Sequence, residues 1–220
     1  MTALFEYPEK AAFGKVLPKE KIYAHACPSH ALRKQIVSQI GRIIWQYKLA
    51  PETINLAARS SITEIQIFDV ILKTGELSEE VLRCIDKAIP FPIFYRLVFE
   101  ERIKIASAYK RPSDADSAKW VVDGYFESDW QPADGERSAL PVALDLTGLY
   151  EQMLRQLMPL PPRSGESLKA HVERMGQVRC KQLECLKMEA HLQKEKQFNR
   201  KVEINAQLRT IRNEMEALSR

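Results

Sequence analysis

Ile62-Thr63-Glu64-Ile65-Gln66-Ile67-Phe68-Asp69-Val70-Ile71-Leu72 opens in alternation and closes as a nearly continuous apolar run. Isoleucine and valine dominate it, and β-branched side chains suit a pleated surface. A run of this kind marks a strand buried on both faces, so a sheet lies at the centre of the fold. Downstream, Lys73-Thr74-Gly75-Glu76 is a turn. Ser78 then caps a short helix, with Glu79 and Glu80 in the first turn where the helix dipole favours acids. Val81, Leu82, Ile85 and Ile89 give that helix a core face, and Pro90 and Pro92 end it. Residues 93–99 and 103–109 read as a hairpin around Glu100-Glu101-Arg102. Residues 112–117 are a polar loop, 119–126 a further strand and 131–141 a loop. Asp145 or Thr147 caps a helix carrying Leu149, Tyr150, Met153, Leu154 and Leu157.

Upstream of the central strand, residues 53–56 read as a short second strand. Ser29 caps a helix in which Leu32, Ile36, Ile40, Ile43, Ile44 and Tyr47 recur at three- and four-residue steps. Trp45 extends its apolar face, and the helix ends near Lys48, ahead of Pro51. Residues 6–23 hold Pro8, Gly14 and Pro18 and read as a loop until about Lys21. The order helix, strand, strand, helix, three strands, helix gives an α+β class: a mixed, mainly antiparallel sheet with packed helices.

The last third differs. Met158-Pro159-Leu160-Pro161-Pro162 is a break no helix continues through, and after Gly176 the chain has neither Gly nor Pro. The division is an α+β domain over 1–157, a proline hinge over 158–163 and a helical arm over 164–220. In the arm, Ile204, Leu208, Ile211, Met215 and Leu218 form an a/d seam, the candidate partner-binding stripe. Leu168, Val172 and Met175 start a similar seam, and Leu183, Leu186 and Ala190 repeat it in a shifted phase. Between Gln193 and Lys201 the seam is polar except for Phe198. Either the phase slips there or the arm folds back as a helical hairpin. Two heptads are short for an autonomous coiled coil, so packing within the chain competes with homodimerisation.

Hydrophobic residues make up 45% of the 220, enough for a core. Residues 1–163 carry 21 basic and 21 acidic residues, and 164–220 carry 12 and 8, so the whole net charge of +4 resides on the arm. Glu6, Glu9 and Lys10 interrupt any secretory signal. No apolar run of membrane-spanning length occurs, and four cysteines are too few for a disulfide scaffold. The expected setting is a reducing cytoplasm, without membrane contact.

Candidate chemistry is sparse. His25-x-Cys27-x-x-His30 is dense in metal-ligand types but lacks a second cluster to complete a tetrahedral site, so no metal is assigned. Glu64 and Gln66 project to one side of the central strand. An acid-x-Lys pair in such a strand, with an earlier acid, holds Mg²⁺ in restriction-endonuclease-like nucleases. Here Gln66 replaces the Lys, and Glu52 is the earlier acid. Lys10, Lys15, Lys19 and Lys21, with Lys110 and Arg111, are the candidate phosphate contacts. No Gly-rich phosphate loop, G-x-S-x-G or H-E-x-x-H occurs.

Five segments together resemble a known family: residues 15–23 (KVLPKEKIY), 44–53 (IWQYKLAPET), 64–68 (EIQIF), 85–90 (IDKAIP) and 194–203 (KEKQFNRKVE). They resemble an uncharacterised bacterial family, domain of unknown function 4391, over nearly the whole chain. The resemblance places Trp45, Lys48, Glu64, Gln66, Asp86 and Lys87 at motif positions. It implies a setting in restriction-like or antiphage loci beside helicases and DNA methyltransferases, and it supplies no catalytic residues. The expectation is a non-enzymatic accessory subunit that docks a locus-encoded helicase or methyltransferase through the arm and needs no cofactor. The alternatives are an Mg²⁺-dependent or degenerate nuclease and a DNA-binding module.

Overall fold

The computed structural model describes residues 4–59, 62–113 and 120–219. In chain order these form β1 (Phe5–Glu6), a 3-10 turn (Glu9–Ala11), β2 (Ala12–Val16), α1 (Lys19–Ala26), α2 (His30–Gln39), β3 (Ile40–Leu49), α3 (Pro51–Ile54), β4 (Ile65–Leu72) and α4 (Glu79–Ala88). They continue with β5 (Ile93–Phe99), β6 (Arg102–Pro112), β7 (Trp120–Glu127), β8 (Gln131–Pro132), β9 (Ser138–Ala139), α5 (Leu146–Arg155), α6 (Leu168–Lys194) and α7 (Phe198–Ser219). The chain divides into two compact units, Met1–Met158 and Pro159–Arg220.

The first unit is built on a mixed sheet in the order β2-β3-β4-β5-β6-β7, with β8 also pairing β6. All its pairings are antiparallel except β4–β5, which runs parallel and is joined through α4. β4 is therefore central, and Ile65, Ile67, Phe68 and Val70 are buried. On one face Phe68, Val70, Tyr95 and Leu97 pack with Ile22 of α1, Ile36 of α2, and Val81, Leu82 and Ile85 of α4. Phe94 alternates with Tyr95 and so points to the opposite face, where its ring meets Tyr150 of α5 edge-on at 6.1 Å. Asp145 caps α5 by accepting from Gly148 N at 2.8 Å. Ser29 caps α2 by accepting from Leu32 N at 3.2 Å.

Four local expectations are corrected. The helix expected to run to Lys48 stops at Gln39, and Ile40–Leu49 is a strand of the sheet. Bulges fall between Ile40 and Arg42 and between Trp45 and Tyr47 in its pairing with β4. These bulges shift the inward positions, so a bulged strand imitates the helical spacing. β-Branched and aromatic side chains decide the outcome in favour of a strand. Residues 53–56 are no strand: Pro51 starts the one-turn helix α3, and Asn55 leaves it in the left-handed conformation at φ 54°. The expected N-terminal loop contains β1, β2 and α1, with Pro18 at the cap position of α1. The expected loop over 131–141 contains β8 and β9. Residues 114–117 of the expected polar loop, and Lys119 at the expected start of β7, lie outside the described residues.

The second unit is a helical hairpin. α6 ends at Lys194 and α7 begins at Phe198. Glu195 caps the break by accepting from Lys196 N at 2.7 Å and Gln197 N at 2.9 Å. Cys185, Ile204, Leu208 and Ile211 form the buried seam, with Met188, Leu192 and Met215 packed on it. Lys181–Glu214 at 2.7 Å and Arg212–Glu189 at 2.8 Å cross between the helices. Buried Arg174 closes the open end. Its guanidinium donates to Glu166, to Pro161 O at 2.8 Å and to Leu218 O at 3.0 Å. No helix among the described residues is long and apolar enough to cross a membrane.

Candidate functional site

The sheet brings Glu52, Glu64 and Gln66 to one place. Lys48 near the end of β3 pairs with Gln66 in β4, and α3 follows β3 closely enough to carry Glu52 back over this corner. Lys48 Nζ lies 2.8 Å from Glu52 Oε1 and 3.4 Å from Glu64 Oε2. Gln66 donates from Nε2 to the other oxygen of Glu64. Glu64 and Gln66 are shielded while Glu52 is exposed. The hydrogen bond to Lys48 holds the Glu52 carboxyl below the usual carboxylate range, and the same bond, followed by Glu64, raises Lys48. An ammonium thus stands between the two carboxylates, where a nuclease would hold its divalent ion. Among the described residues no three His, Cys, Asp or Glu side chains gather as a metal site. As arranged, the corner does not fit Mg²⁺: it is a cation site already filled by Lys48.

A second polar cluster is fully buried, and sequence reasoning missed it. Lys110 of β6 points at the C-terminus of α4. Its Nζ lies 2.7 Å from Asp86 Oδ1, with 0% and 1% of the two side chains exposed. The same ammonium donates to Ile89 O at 2.7 Å, Phe91 O at 2.8 Å and Asp86 O at 3.2 Å. A positive charge at the carbonyl end of a helix is favoured by the dipole. Tyr125 donates to the other oxygen of Asp86. Burial, then the nearby Asp86 charge, pushes the Tyr95 and Tyr125 hydroxyls well above their ordinary pKa. From the opposite face Tyr150 accepts from Lys110 N at 2.8 Å and donates to Ala108 O at 2.9 Å. The bulge between Ala108 and Tyr109 is therefore bridged from α5 while the Lys110 side chain is anchored under α4. The cluster holds two layers of the fold to one strand.

Lys110 is accordingly removed from the phosphate contacts, because its ammonium is sealed in the core. Arg111 is paired with Asp123 across β6 and β7 at 3.0 Å. Lys19 donates to Ile40 O at 2.6 Å, and burial lowers its pKa. Lys10 lies in the 3-10 turn, Lys15 in the edge strand β2 over the Phe13 ring at 4.5 Å, and Lys21 on α1. These lysines are spread over three elements and do not form the single loop expected. Asp86 has the structural role just described, and Lys87 is exposed. Trp45 packs between Phe13 and Phe68 and donates from Nε1 to Tyr47 O at 2.9 Å. His25 and Cys27 end α1, and His30 starts α2.

The partner-binding candidates Ile204, Leu208 and Ile211 face α6 of the same chain, and Met215 packs on that seam. In the folded hairpin this stripe is consumed internally. On the hairpin, the large apolar side chains left outside are Leu183 and Leu186 on α6 and Phe198 and Val202 on α7, each more than half exposed. Leu183 and Leu186 belong to the shifted phase noted in the sequence, so the shift separates an inner seam from an outer stripe.

Residues 5–215 match the model of one protein family, described as Domain of unknown function (DUF4391). No curated protein and no solved structure matches.

Proposed function

We propose, for a chain that belongs to the DUF4391 family, the role of a non-enzymatic accessory subunit in a bacterial restriction-like or antiphage system. Its helical hairpin docks a helicase or DNA methyltransferase encoded in the same locus. The observation that carries this reading is the exposed pair Leu183 and Leu186 on a hairpin whose inner seam is already satisfied. Exposed leucines three apart on one helix suit the apolar face of a partner element. A second copy of the chain is the competing occupant. The test is capture of the neighbouring gene products by the full chain and by a Leu183→Lys/Leu186→Lys variant. The parent captures a neighbour and the variant loses it. Capture of neither refutes the role, and loss of a homodimer in the variant reassigns the stripe to self-association.

A second reading, an Mg²⁺-dependent or degenerate nuclease, draws support from the convergence of Glu52, Glu64 and Gln66 at one corner. It requires Lys48 to leave the carboxylates. Mg²⁺-dependent cleavage of DNA by the purified chain, abolished by Glu64→Ala, would establish it.

A further inference from the structure

The excess charge of the arm has a definite location. Over the rest of residues 164–220, eight bases stand near balance with seven acids. Arg174 pairs with Glu166, Lys181 with Glu184 and Glu214, and Arg212 with Glu189. The tip is different. Residues 194–201 hold Lys194, Lys196, Arg200 and Lys201 against the single acid Glu195, a net of +3 over eight residues. The Glu195 carboxylate is committed to two backbone N–H groups. Among the described residues no ion pair forms at these four bases, and Lys194, Lys196 and Arg200 are exposed. Phe198 stands among them at 78% exposure, with Val202 one turn on, also exposed.

We infer that the hairpin tip is a contact site for a single-stranded nucleic acid, with the four basic side chains on phosphates and Phe198 stacked on an unpaired base. Unpaired Lys and Arg neutralise phosphates without demanding exact spacing. An exposed aromatic ring in their midst is the element that distinguishes an unpaired strand from a duplex, because duplex bases are already stacked on one another. Stacking and phosphate contact do not read the 2′-hydroxyl, so unpaired DNA and RNA share this chemistry and the oligonucleotide arms below compare them. The site is distinct from the Leu183 and Leu186 stripe and stands whether or not that stripe docks a protein.

The test is fluorescence anisotropy of the full chain with labelled 20-nucleotide oligo-dT, oligo-U and a 20-base-pair duplex across a salt series. Both single strands bind tighter than the duplex, and oligo-dT binds with a log–log salt slope of about −3 for four phosphate contacts. The exposed-charge variant Lys194→Glu/Lys196→Glu/Arg200→Glu weakens it by roughly tenfold or more, the milder Lys194→Gln/Lys196→Gln by less, and Phe198→Ala by about fivefold or more. Circular dichroism confirms that each variant keeps its helices, and Leu183→Lys/Leu186→Lys binds oligo-dT like the parent. Unchanged affinity in the charge variants overturns the inference, as does a preference for duplex. Loss of a protein neighbour from the charge variants with oligo-dT binding intact also overturns it and assigns the tip to the protein interface.

Discussion

At the scale of single residues, the two lysines in the resemblance segments and strand pattern that meet acids do different work because of where they sit. Lys48 is partly exposed, so its pairs with Glu52 and Glu64 are screened and contribute little to stability. Lys110 is sealed against Asp86, and removing one member of a buried pair strands the other. Lys110→Ala is expected to destabilise the first unit by about 3–5 kcal/mol, measured by denaturant unfolding. Tyr125→Phe should cost about 1–3 kcal/mol by leaving one Asp86 oxygen unsatisfied. Lys48→Ala should shift stability by less than about 1 kcal/mol. Glu166 supplies a pH signature. Its hydrogen bonds from Arg174 hold its pKa at about 2, below the ordinary glutamate value of ~4.3. A depressed carboxylate pKa stabilises the fold fully above the ordinary value, and the benefit is lost as pH falls from ~4.3 toward the folded value. Hydrogen-exchange protection of α6 and α7 should therefore drop between about pH 5 and 2 in the parent. Glu166→Gln should already show the lower protection at pH 7 and respond less to acid.

At the scale of elements, much of the fold was legible where one physical signal dominated. The apolar run of β4, the acid-fronted helix α4 and the tight β5–β6 hairpin all agree with local propensity and pattern. The reading failed where two signals competed. Ile36, Ile40, Ile43 and Ile44 keep helical spacing through a region that becomes strand, because bulges in β3 shift its inward positions. α3 was missed because one turn is too short to show a period, though Pro51 at its start was in view. The polar interruption between Gln193 and Lys201 did reveal the alternatives for the arm, and Glu195 capping the break selects the hairpin. The hairpin seam predicts its own energetics. Leu208→Ala should cost about 2–5 kcal/mol, read as lost exchange protection along α6 and α7 with the sheet of the first unit unaffected. The buried Lys110–Asp86 pair was not legible, because its partners are 24 residues apart in sequence and meet only through the sheet register. Nothing local to Lys110 distinguishes it from the exposed lysines.

At the scale of the whole molecule, the excess positive charge lies in the second unit. Residues 1–163 are neutral by composition, and the first unit's buried charges hold its layers together. Apolar side chains are exposed in both units, Val142 and Leu144 in the first and Leu183 and Leu186 in the second. The role proposed above places contact with other molecules on the hairpin and leaves the Lys48 corner as an ion-pair cluster of the sheet. The most direct measurement is titration calorimetry of the purified full chain against the purified products of its neighbouring genes, a helicase or methyltransferase on the reading proposed, repeated with Leu183→Lys/Leu186→Lys. The account predicts saturable binding to one of them, weakened at least about tenfold in the variant, equivalent to ~1.4 kcal/mol or more. No binding to either neighbour, or equal binding by parent and variant, would contradict it.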